Sequence, residues 1–211
     1  NPWQHVQPER APSRAESVKY YDREDLASLI AQAERDLAEA EEDLAKAKRE
    51  GARVEWCEER LRSCRRLLPL IYLGSQGGLR IAESSAVCWG DLDFRATKKY
   101  PHGRLEVREG KGRKARTVGM TAELAEVLKW YRRYARADEP ILAVKPRRLE
   151  DQLRRLAARA GVQHHGTHGL RHSCGVFMAE EEPNLAVTRD HLGHSSTATT
   201  EVYATVLGAR Y

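Results

Sequence analysis

Apolar residues along this chain follow first one periodicity and then another. From Leu26 they recur at Ile30, Ala33, Leu37, Ala40, Leu44 and Ala47, in alternating steps of four and three. That is the 3.5-residue spacing of a helix that packs along a seam. Gly51 interrupts the pattern, which resumes at Val54, Cys57, Leu61, Cys64, Leu68 and Ile71. The spacing predicts two long helices joined at a glycine turn, an antiparallel hairpin over about 23–73. Asp22 and Asp25 suit the start of the first helix. Its alanines allow close approach of the second, and alternating acidic and basic residues suit an exposed outer face. The hairpin reads as packed on itself and the core, with a protein-contact arm as the alternative.

Gly74-Ser-Gln-Gly-Gly78 breaks the second helix, and residues 79–89 predict a short one with Arg80 at its start. The period then changes to two. Residues 104–109 and 115–120 read as strands, turning through Glu109-Gly-Lys111-Gly-Arg113, with a third strand near 94–100. Thr121 is placed to cap a helix running to about 135, with Leu124, Val127, Leu128 and Tyr131 inward. Pro146 opens another helix that Gly161 ends. Three short helices follow, at about 169–181, 184–192 and 197–207. The fold class is α+β and mainly α-helical: a helical domain with a small antiparallel three-stranded sheet and a long N-terminal helical hairpin.

Charge alters this picture more than composition does. The chain carries a net +5, but residues 95–160 hold nineteen Lys/Arg against eight Asp/Glu, an excess of eleven. Such a basic surface points to nucleic acid or an anionic membrane surface. No run of about 18 apolar residues is present. The opening Asn1-Pro-Trp-Gln shows no signal peptide, and the missing initiator Met predicts a trimmed fragment. Residues 1–17, rich in Pro, Arg and Ser, read as a linker or tail, and 18–211 as one domain. Cys57, Cys64, Cys88 and Cys174 lack paired spacing and read as reduced thiols of a cytosolic protein.

The last quarter concentrates the chemistry: His168-Gly-Leu-Arg171-His172, then Leu192-Gly-His194, then Tyr203. Cleaving a phosphodiester with an oxygen nucleophile needs donors on the non-bridging oxygens, a proton for the leaving oxygen, and an in-line nucleophile. A metal can supply the first, but 168–203 shows no ligand-like carboxylate arrangement. Guanidinium is the alternative, because its fork of donors matches two phosphate oxygens. Arg80 and Arg171 are the candidates. His168 and Arg171, three apart, share a helix face, and Gly193 allows DNA or backbone to approach closely. Residue chemistry alone does not single out Tyr203 from the chain's eight tyrosines.

These motifs together resemble the catalytic domain of the tyrosine recombinases, the phage-integrase family. Gly78-Leu-Arg80-Ile-Ala-Glu83, followed by Trp89 and Asp91, resembles its first-arginine box. Gly110-Lys111-Gly-Arg-Lys-Ala-Arg-Thr-Val is similar to its β-hairpin lysine motif. His168-Gly-Leu-Arg171-His172 resembles its His-x-x-Arg box, and Leu192-Gly-His194 through Tyr203 its final motif. The resemblance spans about 20–207.

It implies a site-specific DNA recombinase in which Tyr203 attacks the scissile phosphate, forms a 3′-phosphotyrosyl link and frees a 5′-hydroxyl. Arg80, Arg171 and His194 would bind the phosphate, Lys111 would protonate the leaving oxygen, and His168 would act as acid/base toward the tyrosine. Glu83 and His172 would support these groups from behind. Arg113, Lys114, Arg116, Arg147 and Arg148 are candidate DNA contacts. No metal or other cofactor is implied. The implied partners are double-stranded DNA and three further copies on synapsed DNA, with a monomer when free, in the cytoplasm on the nucleoid. The hairpin is longer than the family's opening helices, and 1–17 would be the linker from an absent N-terminal DNA-binding domain. The rivals are a relaxing topoisomerase or telomere resolvase using the same chemistry, a non-catalytic DNA-binding module, and a zinc protein using His164, His165, His168 and His172.

Overall fold

The computed structural model describes residues 18–108, 115–134, 139–182, 184–194 and 200–208. Helix α1 spans Arg23–Glu50. Asp22 caps it by accepting from the Asp25 N–H at 2.8 Å, and Asp25 accepts in return from the Asp22 N–H. Gly51, with φ of 68°, ends it in the left-handed conformation that glycine adopts without strain. Helix α2, Val54–Arg65, folds back along α1. Ala40 of α1 meets Leu61 and Cys64 of α2, with Leu37 and Leu44 alongside, so the hairpin has its own small core. It is also anchored to the domain: the carboxylate of Asp36, 5% exposed, accepts from Arg159 Nε at 3.1 and 3.2 Å and from Gln32 at 2.8 Å.

The hairpin's second arm does not continue unbroken to residue 73. It stops at Arg65, and α3 begins anew at Leu67 and runs to Ser75. Pro69 explains the break, since it cannot donate to the carbonyl four residues upstream and its ring collides there. Helix α3 is buried nearly all round and packs against α5 and α7. Such a helix is the middle of a domain rather than an arm.

Helix α4, Ile81–Ala86, is shorter than the predicted 79–89. At Val87 the chain turns extended because the Val87 carbonyl accepts from the Ile141 N–H at 2.8 Å and Cys88 bridges Pro140. A 3-10 turn at Trp89–Asp91 leads into β1, Leu92–Asp93. The third strand therefore precedes the expected 94–100, where Thr97 and Tyr100 instead close a turn through mutual backbone hydrogen bonds. Strands β2, Arg104–Val107, and β3, Arg116–Gly119, complete an antiparallel sheet in the order β1-β2-β3, with Val107 opposite Arg116.

Thr121 caps α5, Ala122–Arg132, by accepting from the Leu124 N–H at 3.1 Å. Pro146 opens α6, which ends at Ala160 before the left-handed Gly161. Helix α7, Gly166–Glu181, begins three residues earlier than predicted. Helices α8, Leu185–Leu192, and α9, Glu201–Gly208, pack on α7. The main core lies between α3, α5, α6 and the sheet. A second, smaller core lies between α7, α8 and α9 and contains Tyr203.

Candidate active site

Helix α7 sets the site's spacing. His168, Arg171, His172 and Gly175 lie at intervals of three, one and three, which places them on one face. Arg171 is 1% exposed. Its Nη1 donates to the Gly78 carbonyl and its Nη2 to the Leu192 carbonyl at 2.7 Å. It thus joins the break after α3, the end of α8 and the middle of α7. Gly78 has φ of 63°, and a Cβ there would lie 2.6 Å from Leu192. Glycine adopts that left-handed turn without strain and without crowding the Leu192 side chain.

Arg80 stands at the N-terminus of α4, and Glu83 in the first turn organises the arginines around it. Its carboxylate accepts from the Arg80 N–H at 2.9 Å and Arg80 Nη1 at 3.2 Å, and from Arg116 Nη1 and Nη2 at 3.1 and 2.9 Å. Arg171 Nη1 is 4.0 Å away. Arg116 also donates through Nε to the His191 carbonyl at 2.9 Å. Burial pushes the Glu83 carboxyl up, but the hydrogen bonds from Arg116 and Arg80 outweigh it and hold the pKa at about 2. Glu83 is therefore ionised, and among the described residues three guanidiniums gather around this one carboxylate, an excess of two positive charges. Burial and then Arg80 lower Arg171 to about 10, so it remains a cation at neutral pH. The arrangement suits a dianion-like group such as a phosphoryl undergoing transfer.

Tyr203 lies across α7 with its hydroxyl 3.0 Å from His172 Nδ1 and its ring stacked on His194, centroids 6.2 Å apart. A Cβ on Gly175 would overlap the phenol ring, so Gly175 forms the bed on which the tyrosine rests. Burial raises the Tyr203 pKa to about 12, against the lowering influence of Arg171. The phenol therefore keeps its proton at neutral pH and needs an acceptor. Among the described residues the imidazole hydrogen-bonded to its hydroxyl is His172. His168 stands one ring further out, edge-on to His172 at 4.3 Å. His194 is held by Thr200, whose Oγ1 is 3.0 Å from its Nδ1.

Burial lowers His172, His191 and His194 to about 4, and His168 shifts down as well, with Arg171 and Arg80 adding to the effect. His172, His191 and His194 are neutral at pH 7 when folded, whereas the unfolded chain protonates them near pH 6.5. Below 6.5 the unfolded state binds more protons, so their stabilisation is complete above 6.5 and is lost as pH falls toward 4. Glu83 extends the loss between about 4.5 and 2. Melting at pH 4.5 is expected at least about 5 °C below that at pH 7. An equal Tm would contradict the neutral, buried imidazoles.

Of the residues predicted for the site, Arg80, Glu83, His168, Arg171, His172, His194 and Tyr203 converge. Lys111, Arg113 and Lys114 lie outside the described residues. Arg116, expected on the DNA-facing surface, points inward instead: its side chain is 10% exposed, and Glu83 holds it bidentately. Gly193 makes room for this Arg116 side chain, since a Cβ would lie 2.8 Å from it. Arg147 is exposed on α6, and Arg148 beside it pairs with Glu59 of the hairpin. Gly175 and Thr200 were not foreseen. For Gly175 the signal was present, as a glycine continuing the His168–Arg171–His172 stripe. His164 and His165 are not turned toward a shared centre with His168 and His172: His164 lies by Glu150 at 3.0 Å and His165 against Tyr21.

Comparison with known proteins gives a consistent result. Residues 54–210 match the model of the phage integrase family. Tyrosine recombinase XerA of Pyrococcus furiosus is 32% identical over 151 residues, covering 67% of this chain and 50% of that protein. The chain thus spans about half the length of the curated relatives it matches. The XerH site-specific recombinase, solved bound to its palindromic difH substrate after cleavage, superposes with a TM-score of 0.65 at 19% identity, over 92% of this chain and 51% of that one. The catalytic domain of bacteriophage HP1 integrase superposes with a TM-score of 0.59 at 18% identity, over 90% of this chain and 88% of that one. At these identities the superpositions speak for the fold.

Proposed function

The chain belongs to the phage integrase family, and from that premise we propose that it is the catalytic part of a site-specific DNA recombinase. It cuts and rejoins double-stranded DNA through a tyrosyl phosphate on Tyr203. The observation that carries this reading is that Tyr203 and His194, stacked on each other, lie within the influence of Arg171 and Arg80, the guanidiniums beside Glu83, with the four residues drawn from α9, the end of α8, α7 and the start of α4.

In the proposed step the Tyr203 oxygen attacks phosphorus as its proton passes to His172 Nδ1, 3.0 Å away. The Tyr203 O–P bond forms while the bond from phosphorus to the 5′-oxygen breaks. Lys111 supplies the proton that the 5′-oxygen takes. Arg80, Arg171 and His194 donate to the non-bridging oxygens as charge builds there. A guanidinium has five N–H donors, so Arg171 retains some after binding the two backbone carbonyls. With the Thr200 hydroxyl donating to His194 Nδ1, Nε2–H remains for the phosphate. Tyr203 and Arg171 are each 1% exposed, so DNA binding has to open this part of the site before a phosphate reaches them. Because the phosphotyrosine conserves the bond's energy, rejoining needs no nucleotide, and the guanidiniums of Arg80 and Arg171 take the charge-stabilising part that a metal would otherwise supply.

Arg113, Lys114, Arg147 and the partly exposed Arg148 would hold DNA phosphates. Arg116 would act from beneath by fixing Glu83. The partner is duplex DNA, with four copies on synapsed DNA and one when free. Among the described residues no helix is long and apolar enough to cross a membrane, and the proposed place of action is the nucleoid in the cytoplasm.

Duplexes carrying a nick and randomised flanks test this reading. The protein should trap some of them as adducts that survive SDS, equally well in EDTA, with yield falling steeply as salt rises. Complete absence of adduct would overturn the recombinase reading, and loss in EDTA alone would restore a metal mechanism.

A further inference from the structure

Helix α7 carries His168, Arg171 and His172, yet its own N-cap residue, His165, gives it no side-chain cap. Two groups from elsewhere fix where the helix begins. Glu150 of α6 accepts from the Thr167 N–H at 3.0 Å and the Thr167 hydroxyl at 2.7 Å. The Tyr21 hydroxyl accepts from the His165 N–H at 2.9 Å. These two are linked, because His164 lies 3.4 Å from the Tyr21 hydroxyl through Nδ1 and 3.0 Å from Glu150 through Nε2.

Tyr21 is 0% exposed and belongs to a segment, 18–22, that precedes α1 and is hydrogen-bonded to α7. Ser173 grips its backbone on both sides. The Ser173 Oγ accepts from the Tyr21 N–H at 3.0 Å and lies 2.6 Å from the Tyr21 carbonyl. Gly169 makes room for the ring: a Cβ there would stand 3.0 Å from Tyr21. Val18 and Tyr20 of the same segment pack into the small core that holds Tyr203 and Val206. One five-residue strap thus holds α7 and packs into the core that α7 shares with α9.

We infer that Tyr21 is a positioning residue for His168 and Arg171, fixing the start of α7 through its hydroxyl and its seat on Ser173. The strap also couples that start to α9 through Val18 and Tyr20. This rests on the recombinase reading above for its effect on cleavage, though the strap's hold on α7 can be read separately. Placement errors of about 1 Å at a reacting centre cost up to about 10²-fold. A helix start held by two side chains from outside is the place where such an error would arise.

Tyr21→Phe keeps the ring and removes the hydroxyl, and Ser173→Ala removes the grip on the backbone. Single-turnover cleavage of saturating nicked duplex is expected to slow by about 10- to 100-fold in each, with DNA affinity within about twofold. Amide exchange at residues 167–171 should quicken by at least about tenfold in both variants. Should Tyr21→Phe fail to fold, Ser173→Ala decides. Cleavage within about twofold of the parent, or unchanged exchange at 167–171, would reduce the strap to a cover and overturn the inference. If the parent forms no adduct at all, it is the recombinase reading that falls, and the exchange measurement alone decides whether the strap sets α7.

Discussion

Replacing Tyr203 with phenylalanine should lower covalent adduct formation by at least about 10⁴-fold, the scale on which removal of an enzymatic nucleophile is felt, while leaving DNA binding in place. The structure explains why the two should separate. The ring's contacts are with Gly175 beneath it and His194 against its face, and phenylalanine retains both. The hydroxyl contributes a hydrogen bond to His172 Nδ1. Its loss costs about 1 kcal/mol of stability, too little to unfold a domain of this size. A gel-shift assay with the same duplexes reports binding, and SDS-resistant adduct reports chemistry. Adduct at the parent's level in Tyr203→Phe would remove Tyr203 from the role.

Arg171→Ala should cut cleavage by at least about 10²-fold, the scale of losing one preorganised donor to a developing oxyanion. Unlike the tyrosine change, it should also weaken the fold. Arg171 is buried, and its removal leaves the carbonyls of Gly78 and Leu192 without their donor and Glu83 short of a nearby positive charge. Leaving buried acceptors unpaired costs about 1–3 kcal/mol each. The melting temperature should therefore fall by about 5 °C or more. Arg80→Ala separates the two effects, since Arg80 is the more exposed guanidinium and, among the described residues, its side chain is hydrogen-bonded to Glu83 rather than to backbone carbonyls of other elements. It should lose cleavage comparably with a much smaller change in Tm. A few-fold loss of cleavage in folded Arg171→Ala would place that residue outside the phosphate site.

Most of the architecture was legible because local rules governed it. The Asp22 cap, the Gly51 turn, the Thr121 cap, Pro146 and Gly161 all act within a few residues of themselves. The failures share a different cause. Pro69 splits the hairpin's second arm, a local signal overshadowed by the apolar repeat on either side of it. Val87 leaves the helix to pair with Ile141, more than fifty residues away, and no pattern around Val87 announces that. Helix α7 starts early because Glu150 and Tyr21 supply its missing cap from two other segments.

The site divides the same way. Motif order and spacing single out Arg80, Glu83, His168, Arg171, His172, His194 and Tyr203 as candidates, and the fold brings these side chains near one another. Arg116 was read as a surface cation because its charge is visible in the sequence and its partner is not. Its inward turn follows from Glu83 and the His191 carbonyl, which only the fold brings beside β3. The resemblance gives His168 the acid/base part toward the tyrosine and His172 a supporting one, whereas the imidazole hydrogen-bonded to the phenol is His172. Both lie on the same helical stripe, and a stripe does not say which member faces a ring from α9.

The most direct test of the central claim is to identify the bond itself. Adduct formed on nicked duplex in EDTA, digested with protease and nuclease and read by mass spectrometry, should carry its nucleotide on the peptide containing Tyr203. That nucleotide should be joined through its 3′-phosphate, and the released strand should bear a 5′-hydroxyl that a kinase labels without prior phosphatase. A nucleotide on any other residue, or a 5′-phosphate on the released strand, would contradict the assignment of Tyr203 as the group that attacks the phosphate.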